Sequence, residues 1–125
     1  MNDNDTLLIR ELSDSFRMQL DYYKALSGIV RKIMTRLVLS RGNFGVIGPD
    51  LAEKQRLLVC IEGERSRTAH QVQSWQERKK GFASTPDAIE LDTVLQETER
   101  VIRDFLDGED QLRKYIEGLL RKSAS

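Results

Sequence analysis

The sequence predicts an all-α fold, an elongated antiparallel bundle or coiled coil of three long helices in a single domain, residues 1–125. Three observations support this prediction. Apolar residues recur at steps of three and four over long stretches, which is the spacing of one helix face. Two short segments rich in glycine or proline divide the chain into three such stretches. Charged residues make up 32% of the composition and aromatic residues only 6%, a balance typical of helical bundles.

The first stretch predicts a helix over residues 5–40. Its seam residues keep a heptad spacing through four repeats: Ile9, Leu12, Phe16, Gln19, Tyr23, Leu26, Val30, Ile33 and Leu37. Two positions in seven make a narrow stripe, the geometry of one helix lying along another. A helix of about 34 residues spans about 50 Å, which predicts a rod. Gly28 lies within this helix, and its small size suits the close approach of a neighbouring helix.

A helix-breaking segment, residues 41–49, follows the first helix. It contains three glycines and one proline, which cannot continue a helix. Gly42 suits the left-handed residue at which many helices end. The segment also holds the apolar residues Phe44, Val46 and Ile47. Two interpretations of these side chains stay open: they fold back over the end of the bundle, or they form an exposed contact patch.

Pro49 fits the first turn of a second helix, predicted over residues 49–80. Its seam residues are Leu51, Lys54, Leu58, Ile61, Arg65, Thr68, Val72 and Trp75. This seam is weaker than the first because polar residues interrupt it. Lysine and arginine stems can cover apolar surface while their charged groups stay in water. Few apolar residues follow Gly63, so we expect this half of the helix to be the least buried part of the rod.

A second breaker, residues 81–86, precedes a third helix predicted over residues 85–122. Ser84 or Thr85 can cap this helix, and Pro86 suits its first turn. The apolar stripe of the third helix is wide, so one face can pack on the other helices while the remainder is available to a partner. Residues 86–122 carry six basic and ten acidic residues, which makes the helix acidic as well as apolar.

Composition and the absence of reactive motifs disfavour several functions. The chain has 20 basic and 20 acidic residues, which argues against nucleic acid or an anionic membrane as the main partner. With one cysteine, Cys60, no signal peptide and no membrane-spanning apolar run, we expect a cytoplasmic protein. His70 is the only histidine and lacks neighbours at ligand spacing. We therefore predict that the protein is not an enzyme and holds no metal or cofactor.

Several segments of the first two stretches form a familiar pattern: Leu7-Leu8 through Tyr22-Tyr23 and Leu26, the break at Gly42-Asn43, the run Leu51-Ala52-Glu53-Lys54-Gln55-Arg56-Leu57-Leu58, Ile61 and Glu64-Arg65. This pattern resembles the FlgN-type flagellar export chaperones. The resemblance covers residues 7–65 by pattern and residues 86–120 by helical character. It implies a small cytoplasmic protein that binds hook-associated proteins of the hook–filament junction before type III export.

The resemblance also implies where a client binds. In that family the C-terminal helices of clients dock on an amphipathic C-terminal helix of the chaperone, which corresponds to the third helix here. The client-binding residues so implied are Val101, Ile102, Phe105, Leu106, Leu112, Tyr115, Ile116, Leu119 and Leu120. The third helix would loosen and repack against the client's apolar stripe, helped by Gly108 and Gly118. A component of the export gate is a further candidate partner.

Two other functions stay open from the residues alone. A self-associating scaffold or adaptor protein would use polar seam residues such as Gln19 and Lys54 to set register and oligomeric state. An RNA- or ribosome-associated factor would use the basic clusters at residues 65–67 and 78–80, although acidic residues interleave with them. Trp75, near the second cluster, is either part of the core or an exposed contact residue.

Overall fold

A computed structural model describes residues 3–78, 81 and 85–124 of the protein. These residues form three long helices, α1 (Asp3–Leu39), α2 (Gly48–Arg78) and α3 (Pro86–Ala124), with a short 3-10 helix (Phe44–Ile47) between α1 and α2. No strand occurs among the described residues, and the predicted all-α class is confirmed. The helix bounds lie within two residues of the predicted ones. The predicted end of the second helix, at residues 79–80, and the candidate cap Ser84 lie outside the described residues.

α1 lies between the other two helices, and both of them pack along it. α2 runs antiparallel to α1, and α3 runs parallel to α1. Ion pairs mark these directions: Asp5–Arg78 and Lys32–Asp50 join α1 to α2, and Arg17–Glu90 and Lys24–Glu97 join α1 to α3. α2 and α3 hardly contact each other directly. The bundle is therefore open along the side where these two helices face each other.

The heptad seam of α1 forms the centre of the core, as predicted. All nine seam residues are buried or half-buried. The core consists of two clusters. The larger comprises Leu26, Val30, Ile33, Leu37, Ile47, Leu57, Ile61, Phe105 and Leu112, and the smaller comprises Ile9, Leu12, Ala88 and Leu91. Between the clusters lies a layer of buried polar side chains, which we call the polar layer: Ser15, Gln19, Thr68 and Thr98.

Hydrogen bonds define the end of α1 and the start of α3. Gly42 N donates to Leu37 O at 2.8 Å and Arg41 N donates to Val38 O at 3.2 Å, the pattern of a Schellman helix end. Both Arg41 (φ 58°) and Gly42 (φ 86°) are left-handed, so the reversal takes two residues where the sequence predicted one at Gly42. At the start of α3, Ala88 N donates to Thr85 Oγ1 at 3.3 Å. Thr85 therefore caps α3.

The apolar residues of the α1–α2 connection divide between the two interpretations left open by the sequence. Ile47 is fully buried in the larger core cluster, and Val46 packs against that cluster while half-buried. These two side chains fold back over the end of the bundle. Phe44, in contrast, is exposed and lies beside Leu119 and Leu120 at the end of α3.

A glycine does permit close helix approach, but the position differs from the expected one. A Cβ at Gly28 would meet no atom within 4 Å, so the expectation for this residue was wrong. A Cβ at Gly108 would lie 3.3 Å from Val30 Cγ1 of α1. Gly108 is therefore the small residue that lets α3 approach α1.

Asp50 anchors the start of α2 to α1. Its side chain is only 8% exposed, and Lys32 Nζ and Arg36 Nε each lie 3.4 Å from one of its carboxylate oxygens. The N-terminus of a helix also favours a negative charge. We expect Asp50→Ala to lower the free energy of unfolding by about 1–2 kcal/mol, because both cations lose their partner yet remain hydrated.

Urea unfolding followed by circular dichroism measures this change, with Glu53→Ala as the control. Glu53 pairs with Arg56 of its own helix, and its side chain is 45% exposed. We expect the control to unfold close to the wild-type midpoint. If the two variants had the same midpoint, Asp50 would not anchor α2.

Candidate helix-binding groove

A groove runs between α2 and α3, with α1 as its floor. It exists because both helices pack on α1 and hardly on each other. On α3 the lining positions include Leu95, Ile102, Leu106 and Ile116. These positions follow heptad steps of three and four, so they share one face of the helix. The groove has two parts along this face of α3, which share no lining residue and are here called its halves.

The first half, here called the Leu51 half, is a cavity of about 540 Å³ near the start of α2. Leu51 of α2 and Leu106 of α3 lie on its opposite walls and are 46% and 56% exposed. Leu112 is buried at the base, and Ile116 is half-buried. Charged residues border these side chains: Lys54, Glu109, Asp110, Arg113 and Glu117. This half thus presents an apolar surface with a charged rim.

The second half, here called the Trp75 half, consists of two adjoining cavities of about 570 and 400 Å³. Both cavities are lined by Phe16, Val72, Thr98 and Ile102. Trp75 is half-buried, packs against the smaller core cluster and lines one of the cavities. It therefore combines the two roles that the sequence left open, as part of the core and as part of an accessible surface.

Within the Leu51 half, an ion pair joins the two walls. Lys54 of α2 pairs with Glu109 of α3, and their side chains are 19% and 28% exposed. The sequence singled out Lys54 as a polar interruption of the α2 seam. In the structure the lysine reaches across the groove to the acidic helix, so this interruption serves to connect α2 with α3.

The polar layer lies at the floor of the Trp75 half. The Gln19 side chain is buried, lines the cavity and donates from Nε2 to Ser15 Oγ at 3.2 Å. Thr68 Oγ1 donates to Glu64 O at 2.9 Å, and Thr98 Oγ1 donates to Val94 O at 2.7 Å. Both hydroxyl protons are thus used within their own helices. No described residue donates a hydrogen bond to Gln19 Oε1.

Charge differs between the two walls of the Trp75 half. Asp92 and Glu99 are exposed on the α3 wall, and neither forms an ion pair with a described residue. Arg65 is exposed on the α2 wall. This half therefore has an acidic wall on α3 and a basic residue on α2.

Other carboxylates near the groove are held by cations of their own helix. The pKa of Asp110, on the rim of the Leu51 half, lies below its ordinary value because Lys114 and Arg113 donate hydrogen bonds to it. The pKa of Glu64 on α2 is lowered chiefly by hydrogen bonds from Arg67. These acids keep their charge at neutral pH, and their charge is already compensated.

The structure places the nine predicted client-binding residues in three different environments. Leu106, Leu112 and Ile116 come together in the Leu51 half, and Ile102 lines the Trp75 half. Three others face α1 and the core: Val101, Phe105 and Tyr115. The ring of Phe105 lies 6.2 Å from that of Tyr23. Leu119 and Leu120 lie at the end of the rod beside Phe44.

The predicted set also omitted the residues that α1 and α2 contribute to the groove. These residues are Leu12, Phe16, Leu51, Val72 and Trp75. All five belong to the predicted seams of the first two helices. Four of them were assigned to contacts within the bundle, and Trp75 was left open between the core and an exposed contact. The seam spacing identified them as one face of each helix, but it did not indicate that part of this face is open.

The described residues contain neither a candidate metal-binding cluster nor a candidate membrane-spanning helix. They contain no group of three or more His, Cys, Asp or Glu side chains able to hold a metal ion. None of the helices, over its described residues, has the length and apolar character needed to cross a membrane. His70 is exposed, and Cys60 is half-buried with its Sγ 3.9 Å from Arg56 Nη1.

Comparison with known proteins does not assign the chain to a family. No protein-family model matches it, and neither a curated protein nor a solved structure matches it. The functional argument therefore rests on the groove itself and on the residue patterns of this chain.

Proposed function

We propose that this protein binds an amphipathic helix of another protein in the groove between α2 and α3. The Leu51 half carries this proposal, because Leu51 and Leu106 expose about half of their surface on facing walls above an apolar base. Covering such side chains with an apolar partner is favourable, by roughly 25 cal/mol per Å² of apolar surface removed from water. The protein is then a binding protein without catalytic activity.

The shape of the groove suits a helix. The lining residues of α3 extend from Asp92 to Glu117, a length of about 38 Å at about 1.5 Å per residue. An amphipathic helix of about 25 residues matches this length and would insert apolar side chains at steps of three and four. A helix in this position would complete a four-helix bundle with the three helices of the protein.

We further propose that the client is a hook-associated flagellar protein, held in the cytoplasm before type III export. The support for this client class is the resemblance of residues 7–65 to the FlgN-type chaperones. Four residues of the contact set implied by that resemblance line the groove: Ile102, Leu106, Leu112 and Ile116. Because Val101 and Phe105 pack against the core, the client binds without separating α3 from α1.

Affinity capture from the native source tests this proposal, using tagged wild type and tagged Leu106→Glu in parallel, with mass spectrometry of the bound proteins. We expect hook-associated proteins with the wild type and their loss with the variant. Equal recovery by both proteins would contradict binding in the groove.

Other outcomes would favour the alternative functions. A wild type that recovers only itself, and that is a tight dimer by light scattering, would indicate a self-associating scaffold. Ribosomal proteins, together with salt-sensitive retention on heparin, would indicate an RNA-associated factor. A monomer that associates only with its client is the result that the proposed function predicts.

A further inference from the structure

We propose that Gln19 selects the sequence and sets the register of the helix bound in the Trp75 half. That helix carries an amide or hydroxyl side chain within its apolar stripe, opposite Gln19, and basic residues on the flank facing α3. This inference rests on the proposed function, namely that the groove binds a helix, and it specifies which helix fits.

The first step concerns the unused acceptor of Gln19. Gln19 is buried, with only 4% of its surface exposed, yet it lines the cavity. Its Oε1 receives no hydrogen bond from a described residue. A purely apolar helix placed over the cavity would exclude water and leave this oxygen without a donor. An unsatisfied buried acceptor is costly. A partner side chain that donates a hydrogen bond removes that cost.

The second step excludes donors from within the polar layer. The hydroxyls of Thr68 and Thr98 lie in the same cavity, but both donate to backbone carbonyls of their own helices. Ser15 accepts the hydrogen bond from Gln19 Nε2. Tyr23 and Arg65 also line this cavity, but neither donates to Oε1 in the structure. The bound helix therefore supplies the donor in this proposal. A single polar position inside an apolar seam is a known means of fixing the register of packed helices.

The third step concerns charge. Asp92 and Glu99 on the α3 wall lack ion-pair partners among the described residues, whereas Arg65 lies on the α2 wall. Basic side chains on the α3-facing flank of the bound helix complement this pattern. Reversing a helix in the groove exchanges its two flanks. The charge pattern therefore favours one direction of the bound helix as well as its register.

The test uses two synthetic amphipathic peptides of about 25 residues, a length that matches the groove. Both have leucine stripes and a lysine flank, and they differ at one central stripe position, which is Asn in one and Leu in the other. Their affinities are measured by calorimetry for wild type, Gln19→Met and Thr93→Val. Gln19→Met keeps the length of the side chain and removes its hydrogen bonds. Thr93→Val is the control, because Thr93 lies on the exposed side of α3, where its Oγ1 donates to Ile89 O, and it lines neither half of the groove.

We expect the preference for the Asn peptide over the Leu peptide to fall about tenfold from wild type to Gln19→Met, and to stay unchanged in Thr93→Val. Circular dichroism and light scattering confirm that each variant is folded and has the wild-type oligomeric state. An unchanged preference in Gln19→Met would overturn the role of Gln19 while leaving groove binding intact. Failure of both peptides to bind wild type would overturn this inference, and the client-capture result would then decide the proposed function separately.

The charge component is tested on the same wild-type protein. Replacing the lysine flank of the Asn peptide with glutamate is expected to weaken binding about tenfold at low salt. The double variant Asp92→Lys with Glu99→Lys should restore the affinity of this acidic peptide. Equal binding of the lysine and glutamate peptides to wild type would overturn the assignment of a basic flank.

Discussion

Leu106→Glu is expected to weaken binding of the client helix at least about 100-fold while leaving the fold of the free protein intact. Leu106 is 56% exposed on the α3 wall of the Leu51 half, so the free protein tolerates a charge there. In the complex the same position is covered. The variant loses the binding free energy of roughly 1.5–3 kcal/mol that burying the leucine side chain provides. Binding must also remove the carboxylate of the new glutamate from water, which weakens the complex further.

Fluorescence anisotropy with the labelled C-terminal helix of a captured client measures this effect. Val59→Glu is the matched control, because Val59 is 61% exposed on α2 and lines neither half of the groove. The two variants introduce the same charge at similarly exposed apolar sites. We expect wild-type affinity for Val59→Glu. If both variants bound the client equally well, the client would occupy another surface.

Leu37→Ala is expected to lower the free energy of unfolding by about 2–5 kcal/mol. Leu37 is fully buried in the larger core cluster near the end of α1. Removing most of its side chain leaves a cavity between helices that are already fixed by other contacts. Leu39, two residues further on, is 79% exposed, so Leu39→Ala should change stability by less than about 0.5 kcal/mol.

Urea unfolding of both variants at two protein concentrations tests this pair. The slope of free energy against urea should remain that of the wild type, because the same surface becomes exposed on unfolding. An equal loss of stability in both variants would contradict the assignment of these two side chains. If unfolding of the wild type depended on protein concentration and that of Leu39→Ala did not, a second copy would cover Leu39 in solution.

Local sequence patterns predicted most of the fold. The glycine- and proline-containing breakers marked the helix ends to within two residues, because they act on their own backbone. The heptad spacing of α1 identified its buried face correctly, from Ile9 to Leu37. Both signals depend on residues that are close in the chain, and such signals can be read without knowledge of the neighbouring helices.

The candidate site was predicted less completely. The wide apolar stripe of α3 contained both Phe105 and Leu106, and the sequence treated both as client contacts. In the structure Phe105 faces α1 and packs beside Tyr23, whereas its neighbour Leu106 lines the open groove. Adjacent residues on a helix point about 100° apart. Their different roles therefore depend on where α1 lies, which the periodicity of α3 alone does not specify.

The sequence by itself determined three helices, their ends, the buried seam of α1 and the acidic, apolar character of α3. Tertiary structure alone decided that α2 and α3 both pack on α1 and leave a groove between them. It also decided that Gly108, and not Gly28, permits close helix approach. The physical reason is that helical periodicity specifies which side chains share a face, whereas the arrangement of the helices specifies which of those faces are covered.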